Sequence, residues 1–436
     1  MNLAPLDIGI IGLVLMLVLM FLRIPVAFVM IGIGFCGFAL IRGREPALNI
    51  LGSTFYEVLS NHSFTAIPMF ILMGYLAYYS GIVPQLFDVA KKWFGHLPGG
   101  MAQVTVVGGA GFGAASGSGP ASTATLAKIA IPEMIQSGVD RRLAYGVVAS
   151  VGPLAALIPP SILMIVFGII TQQSIGKLLI GGLFPGILAA AVYMVMIYVM
   201  VRVKPALAPP QPKASWAERF RSLKNIIAFV ILVFCVLAGL YTGVFTPTEA
   251  GAAGAFITFL LVVINRKLNW ETIKGSMMET IKTSCMIFLL IGGTQVFSYF
   301  LSITRIPTTL SRFLVGLDVQ PIVILLAIVV MYIILGMFIE MVSAMFLTLP
   351  VIFPAIVALG YDPVWFGVLL VFLVEMALVT PPFGLSLFIV RGTVPDSNLK
   401  DIYRGSFPFI AADFVILALL IAIPDIITYL PSRMTS

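Results

Sequence analysis

The chain has little charge. Of its 436 residues only 10% are Asp, Glu, Lys or Arg, against 60% that are hydrophobic. A soluble domain carries about 25% charged residues, so this deficit excludes a soluble enzyme, a nucleic-acid reader and a disordered chain. The two histidines, His62 and His96, are too few for a zinc site. The three cysteines, Cys36, Cys235 and Cys285, sit inside apolar runs and read as buried small hydrophobes, not halves of disulfides. No phosphate-binding GxxxxGK[ST] run occurs, so the chain does not itself use ATP. Gly109, Gly111 and Gly113 follow no strand and make no dinucleotide fingerprint. Strands of alternating pattern are also missing, which excludes an outer-membrane barrel. The opening residues, MNLAPLDIGI, lack a basic region and a small-residue cleavage site and read as the start of a first span.

What is present is apolar sequence in long runs, at about 6–22, 24–41, 55–80, 100–137, 143–170, 178–201, 225–243, 247–265, 280–303, 320–358, 363–390 and 407–430. A bilayer-spanning helix needs about 20 apolar residues, so the chain reads as an all-α polytopic membrane protein of about ten spans. The runs 100–137 and 320–358 are too long for one span and are interrupted by small or polar residues. They are expected to be re-entrant helical hairpins. The runs 143–170 and 363–390 each contain a Pro-Pro pair, Pro159-Pro160 and Pro381-Pro382. Proline removes a backbone donor and clashes with the preceding turn, so each pair is expected to unwind a helix within the membrane.

One hydrophilic stretch, 202–224, divides the chain into residues 1–205, a cytoplasmic linker 206–224, and residues 225–436. A shift of 222 positions superposes the halves: Pro25 falls on Pro247, Pro132 on Pro354, Gly138 on Gly360, Asp140 on Asp362, and Pro159-Pro160 on Pro381-Pro382. Five spans and one hairpin per half make the second half enter from the opposite face. That is an inverted-topology repeat, as in many secondary transporters. With the N-terminus outside, eighteen of the 25 Lys and Arg fall in inner loops and six in outer ones, as the positive-inside rule requires. The two broken helices and two hairpins then meet in oxygen-rich pockets near the midplane.

The first hairpin tip, Ser116-Gly117-Ser118-Gly119-Pro120, offers carbonyls and two hydroxyls. Irregular backbone at this depth survives where it lines a cavity or is buried in protein, and hard cations take oxygen ligands. The second limb is expected to start near Pro120, its positive end facing an anion. The competing reading is a packing face of small residues. By the shift of 222, Glu340 stands in the second tip where Ser118 stands in the first. A carboxylate there is costly and functional by default: a cation ligand, a proton carrier or an anchor for the tip's own backbone. Ser343 and Thr348 are weaker candidates. The loops facing the tips are Ile158-Pro159-Pro160-Ser161 and Thr380-Pro381-Pro382-Phe383-Gly384. Glu375 and Asp413 read as proton sites, inter-helix bonding groups or ion-pair partners. Glu249 reads as a helix N-terminal charge. Trp93, Trp216, Trp270 and Trp365 read as interface anchors.

These features, in this order, resemble the large membrane (M) subunit of the tripartite ATP-independent periplasmic (TRAP) transporters, over essentially the whole chain. The carriers are SGSGPASTATLAKIAIPEM (116–134), ALIPPSILMIVFGIITQQSIGKLLIGGLFPG (156–186), FIEMVSAMFLTLPVIFPAIVALGYDP (338–363) and VTPPFGLSLFIVRG (379–392). The resemblance implies an elevator transporter driven by a Na⁺ gradient in a bacterial inner membrane. It implies two partners: a small four-span membrane subunit, here a separate chain, and a soluble periplasmic protein that delivers an organic anion such as a dicarboxylate or sialic acid. Carried over by motif, one Na⁺ pocket involves Ser116, Gly117, Ser118, Ile158 and Pro159, and the other Gly336, Glu340, Thr380, Pro381 and Gly384. Substrate contacts fall to Ser116, Ser118, Ser161, Ser174, Glu340 and Thr380. Gly119-Pro120 departs from the family pattern, in which small non-proline residues are common. The alternatives are a stand-alone Na⁺- or H⁺-coupled anion carrier and, from another class, an integral membrane enzyme, for which the sequence offers no catalytic cluster.

Overall fold

The computed structural model describes residues 4–22, 24–317, 319–339 and 341–434; Arg23 and Glu340 lie outside them. Every described element is helical. Helices α1 (Pro5–Phe21) and α2 (Val26–Arg42) pack together, and α3 (Arg44–Ser60) follows. A 3-10 turn at His62–Thr65 leads into α4 (Ala66–Tyr79), and α5 (Ile82–Phe94) departs at 68°. Helices α6 (Gly100–Ser116) and α7 (Gly119–Gln136) form the first broken pair. Then α8 (Arg141–Val151) ends before a 3-10 turn at Pro153–Ala156, and α9 (Ile162–Thr171) resumes beyond Pro159-Pro160. Next come α10 (Ile175–Gly181), α11 (Leu183–Val203), α12 (Trp216–Tyr241), α13 (Pro247–Ile264), α14 (Trp270–Thr304) and α15 (Ile306–Val315). The second broken pair is α16 (Pro321–Phe338) and α17 (Met341–Ala358). Helix α18 (Pro363–Val379) stops before Pro381-Pro382, α19 (Leu385–Thr393) resumes, and α20 (Leu399–Ala422) and α21 (Asp425–Thr428) close the chain. Both Pro-Pro bonds are cis.

The core follows from composition. Helix α18 is apolar all round but for Glu375, and Trp365 through Val379 are all buried; a helix hydrophobic all round belongs inside. Helices α8 and α20 cross where Gly146 meets Gly405, too close for a Cβ on either, the use of small residues that lets backbones approach. The outer faces of α1, α12, α13 and α16 keep large apolar side chains exposed, among them Val14, Phe234, Phe256 and Val330. These are surfaces for lipid. Seven described helices are long and apolar enough to cross a membrane, or eight if the bent pair at 62–94 is one span. Helices α1, α2 and α18 are apolar too, but at 17 residues each they stand at the short end of the spanning range.

Several boundaries differ from the sequence reading. The run 55–80 is divided between α3 and α4. Helices α3, α5 and α15 escaped notice because charges interrupt their apolar pattern: α5 buries Ile82, Leu86 and Phe87 and carries Asp88, Lys91 and Lys92. Residues 216–224 belong to α12, opened by a capping box in which the Ser215 hydroxyl accepts from the Glu218 N–H at 3.3 Å and the Glu218 carboxylate accepts from the Ser215 N–H at 2.8 Å. The stretch before it is strapped down: the Asp140 N–H donates to the Leu207 carbonyl at 2.7 Å and the Gln211 N–H to that of Gly95 at 2.8 Å. Beside it the Arg219 guanidinium lies 3.3 Å from His96 Nδ1. Burial, then Arg219 and Lys213, hold the His96 pKa below its ordinary value. Cys36 and Cys285 are exposed on helix faces, not buried. Trp365 is no interface anchor: it is buried, and its indole N–H donates to the Leu420 carbonyl at 3.0 Å.

Candidate functional site

The first tip is built by backbone. Helix α6 ends at Gly117 with φ +62°, and the Gly117 N–H donates to the Gly113 carbonyl at 2.9 Å. Left-handed φ is the ordinary province of glycine. The Gly117 carbonyl accepts from the Ile162 N–H at 3.4 Å. A Cβ on Gly117 would lie 2.6 Å from the Pro160 carbonyl oxygen. The tip is thus seated on the Pro159-Pro160 loop, as the sequence predicts. The Ser116 hydroxyl donates to the Ser118 carbonyl at 3.4 Å, and Ser118 takes the N-cap position of α7 without a side-chain cap bond. Helix α7 begins at Gly119, with Pro120 in its first turn, where a missing N–H costs nothing. The proline that departs from the family pattern therefore fits the tip it stands in.

The second tip is built by side chains. The Phe338 and Phe383 rings lie 5.1 Å apart, joining the end of α16 to the second Pro-Pro loop. That loop is tied back by Tyr403, whose hydroxyl donates to the Pro382 carbonyl at 2.6 Å. Gly336 abuts Ala377 of α18. Thr380 C-caps α18, its hydroxyl donating to the Met376 carbonyl at 2.8 Å, and its carbonyl accepts from the Gly384 N–H at 3.2 Å. The Thr348 hydroxyl donates to the Ala344 carbonyl at 2.8 Å and lies 2.6 Å from the Tyr332 hydroxyl, which therefore donates to it. Thr348 is thus committed to holding the limbs together. Glu340 lies outside the described residues.

Three cavities follow one another along α14. The first, about 270 Å³, is lined by Glu279 and Thr283 of α14, Tyr75 and Tyr78 of α4, and Ser116 and Ser118. The second, about 90 Å³, lies between the tips, where Gly117–Pro120 face Met341 and Val342 across from Thr283 and Met286. The third, about 390 Å³, is lined by Gln295, Ser298, Ser302 and Arg305, with Phe346 and Phe353 of α17 opposite. The tips therefore meet each other, and α14 passes them with a cavity on either side.

The structure brings Ser116, Gly117 and Ser118 together with the Pro159-Pro160 loop; in the second half Gly336 meets Ala377, one turn before Thr380, and Phe338 meets Phe383 of the Pro381-Pro382 loop. Ser161 joins neither cavity wall: it is fully buried, its hydroxyl donates to the Ala156 carbonyl, and it accepts from the Met164 N–H at 3.3 Å as the N-cap of α9. Ser174 stands apart from the tips as the exposed N-cap of α10, accepting from the Lys177 N–H at 3.4 Å. Glu249 forms a capping box with Thr246 at the start of α13, as its place predicts. Sequence reasoning passed over the polar stripe of α14. Its signal was legible, because Gln295, Ser298, Ser302 and Arg305 recur at three- and four-residue spacing, one face of a helix.

A helical membrane protein whose broken elements converge on aligned cavities has the build of a transporter. Two solved transporters share the fold: the Alcanivorax borkumensis YdaH transporter (TM-score 0.60, 15% identity, 87% of this chain and 88% of that one) and Neisseria gonorrhoeae MtrF (TM-score 0.61, 15% identity, 97% and 95%). The family is narrower than the fold: the chain belongs to the DctM component of the tripartite ATP-independent periplasmic transporters, whose family model matches residues 13–426. It is similar to the C4-dicarboxylate TRAP transporter large permease protein DctM of Pseudomonas aeruginosa, at 33% identity over 86% of this chain and 88% of that protein. It is similar to the sialic acid TRAP transporter large permease protein SiaM of Vibrio cholerae at 30% identity (95% and 96%). The 2,3-diketo-L-gulonate TRAP transporter large permease protein YiaN of Escherichia coli K12 is 31% identical (93% and 94%).

Proposed function

We propose that this chain is the large permease of a Na⁺-coupled importer of an organic carboxylate in a bacterial inner membrane. A small four-span membrane subunit and a periplasmic binding protein complete the system. The observation that carries this reading is the run of three cavities along α14, with both broken tips at its middle. The relatives' substrates, dicarboxylate, sialic acid and diketogulonate, support an anionic solute. The halves 1–205 and 225–436, joined by 206–224, form an inverted repeat, and the charge count puts the N-terminus and the Arg305 cavity on the periplasmic side. Ser116, Gly117 and Ser118 with the Ile158-Pro159 loop form one Na⁺ pocket. Gly336, Glu340, Thr380, Pro381 and Gly384 form the other. Na⁺ organises the tips, and the organised tips bind the anion; this differential affinity is the coupling. The body bearing α6–α9 and α16–α19 then slides past α14, carrying the solute from the outer cavity to the inner.

The test is uptake in proteoliposomes containing the chain, its neighbouring small subunit and a candidate binding protein, with labelled organic acids and an inward Na⁺ gradient. Accumulation that requires both Na⁺ and the binding protein is expected. Accumulation without the binding protein overturns the tripartite reading in favour of a stand-alone carrier.

A further inference from the structure

A fourth cavity, of about 10 Å³, lies away from the α14 path. It is lined by Ser150 of α8, Tyr193 of α11, Glu375 of α18 and Asp413 of α20, with Pro153 and Leu157 beside them. The space is that of one small guest. Tyr193 donates to one Asp413 oxygen at 2.5 Å. The other Asp413 oxygen, both Glu375 oxygens and the Ser150 hydroxyl have no hydrogen-bond partner among the described residues. All three residues are nearly inaccessible, Ser150 and Asp413 at 1% and Glu375 at 4%. Glu375 also reaches the first tip: a Cβ on Gly119 would lie 2.9 Å from Glu375 Oε2.

Two carboxylates cannot both stay ionised in such a place. Like charges oppose each other and burial opposes each singly. Among the described residues no Lys, Arg or His lines the cavity. The cations of the lining helices and of α7 are exposed, namely Lys128, Arg141, Arg142, Arg202, Lys400 and Arg404, and Arg142 pairs with Asp401 at 2.8 Å. Tyr193 and Asp413 are the titratable groups that face Glu375. Unpartnered oxygens from three helices, aimed into a space for one guest, define a receptor for a cation.

We propose that this cavity binds one monovalent cation between Glu375 and Asp413, and that at neutral pH the cation is a proton. It lowers the charge of the α8–α18–α20 core from that of two carboxylates to that of one. Its loss would place a negative charge beside Gly119, against the first tip.

The experiment is infrared spectroscopy of the full chain in lipid bilayers, titrated with pH with and without Na⁺. It requires no solute, so its outcome is independent of the transport reading above. The expected result is a protonated-carboxyl band at neutral pH that is lost in Glu375→Gln or Asp413→Asn and unchanged in Glu249→Gln. Should a carboxyl variant fail to fold, Tyr193→Phe, which strips the hydrogen bond from Asp413, is expected to shift the band. A band removed by Na⁺ at constant pH assigns the same site to Na⁺. A wild-type spectrum with no such band and no response to Na⁺ overturns the proposal.

Discussion

The two tips hold similar positions by different means. The first is seated by backbone: a left-handed glycine, a carbonyl accepting from Ile162, and no space for a Cβ against Pro160. The second is seated by rings and hydroxyls: Phe338 on Phe383, and Tyr332 bonded to Thr348. A backbone seat is rigid and intolerant, because it has no rotamer with which to adjust. A side-chain seat is divided among several contacts, each of modest worth, and can be lost in steps. The first tip is thus the fixed partner and the second the adjustable one.

Breaking the fixed partner has the largest expected effect. Gly117→Val imposes left-handed backbone on a β-branched residue, at about 1–2 kcal/mol, and drives its Cβ into the Pro160 carbonyl. Uptake is expected to fall about tenfold or more, since 1.4 kcal/mol is a factor of ten. Near-normal uptake would mean the tip has slack the geometry denies it. Next is Glu340, where Gln or Ala should strongly reduce uptake while folded protein stays in the membrane; unchanged kinetics would remove its assigned role. The adjustable seat should fail more gently. Phe383→Ala removes a ring pair worth about 0.5–1.5 kcal/mol beyond its buried area. Tyr332→Phe removes one buried hydrogen bond worth about 1 kcal/mol. Each should lower Tm and reduce uptake less than Gly117→Val does; the reverse order would invert the comparison.

Much of this was legible in the sequence because the telling residues are punctuation. Pro159-Pro160 and Pro381-Pro382 end helices wherever they stand, and SGSGP cannot continue a helix unbroken, so breaks and tips were readable from composition. Ser161 and Ser174 look like ligands in one dimension, but each is a helix N-cap, a role that serine takes by local hydrogen bonding. The cavities could not be read, because they form between α14 and the broken elements only after the halves pack. Nor could the meeting of Glu375 with Asp413, which lie on different helices and reach one cavity through the crossing at Gly146 and Gly405.

The smallest effect is expected far from the tips, and it tells stability apart from transport. At the start of α13 the Glu249 carboxylate accepts from both the N–H and the hydroxyl of Thr246 at 2.9 Å. A charged carboxylate accepts such bonds more strongly than a protonated one, so the cap contributes fully while Glu249 is ionised and less once acid protonates it. Glu249→Gln keeps the acceptor and removes the charge. It should lower Tm slightly at neutral pH, and the difference from wild type should vanish on acidification below the ordinary carboxylate range. Uptake per folded molecule should be unchanged, because the capping box sits on a helix with no part in either tip. A Tm difference that persisted unchanged into acid would mean the charge is not what the cap uses. A loss of uptake without a loss of folded protein would mean that α13 reaches the solute path, and the division between seated tips and surrounding helices would have to be redrawn.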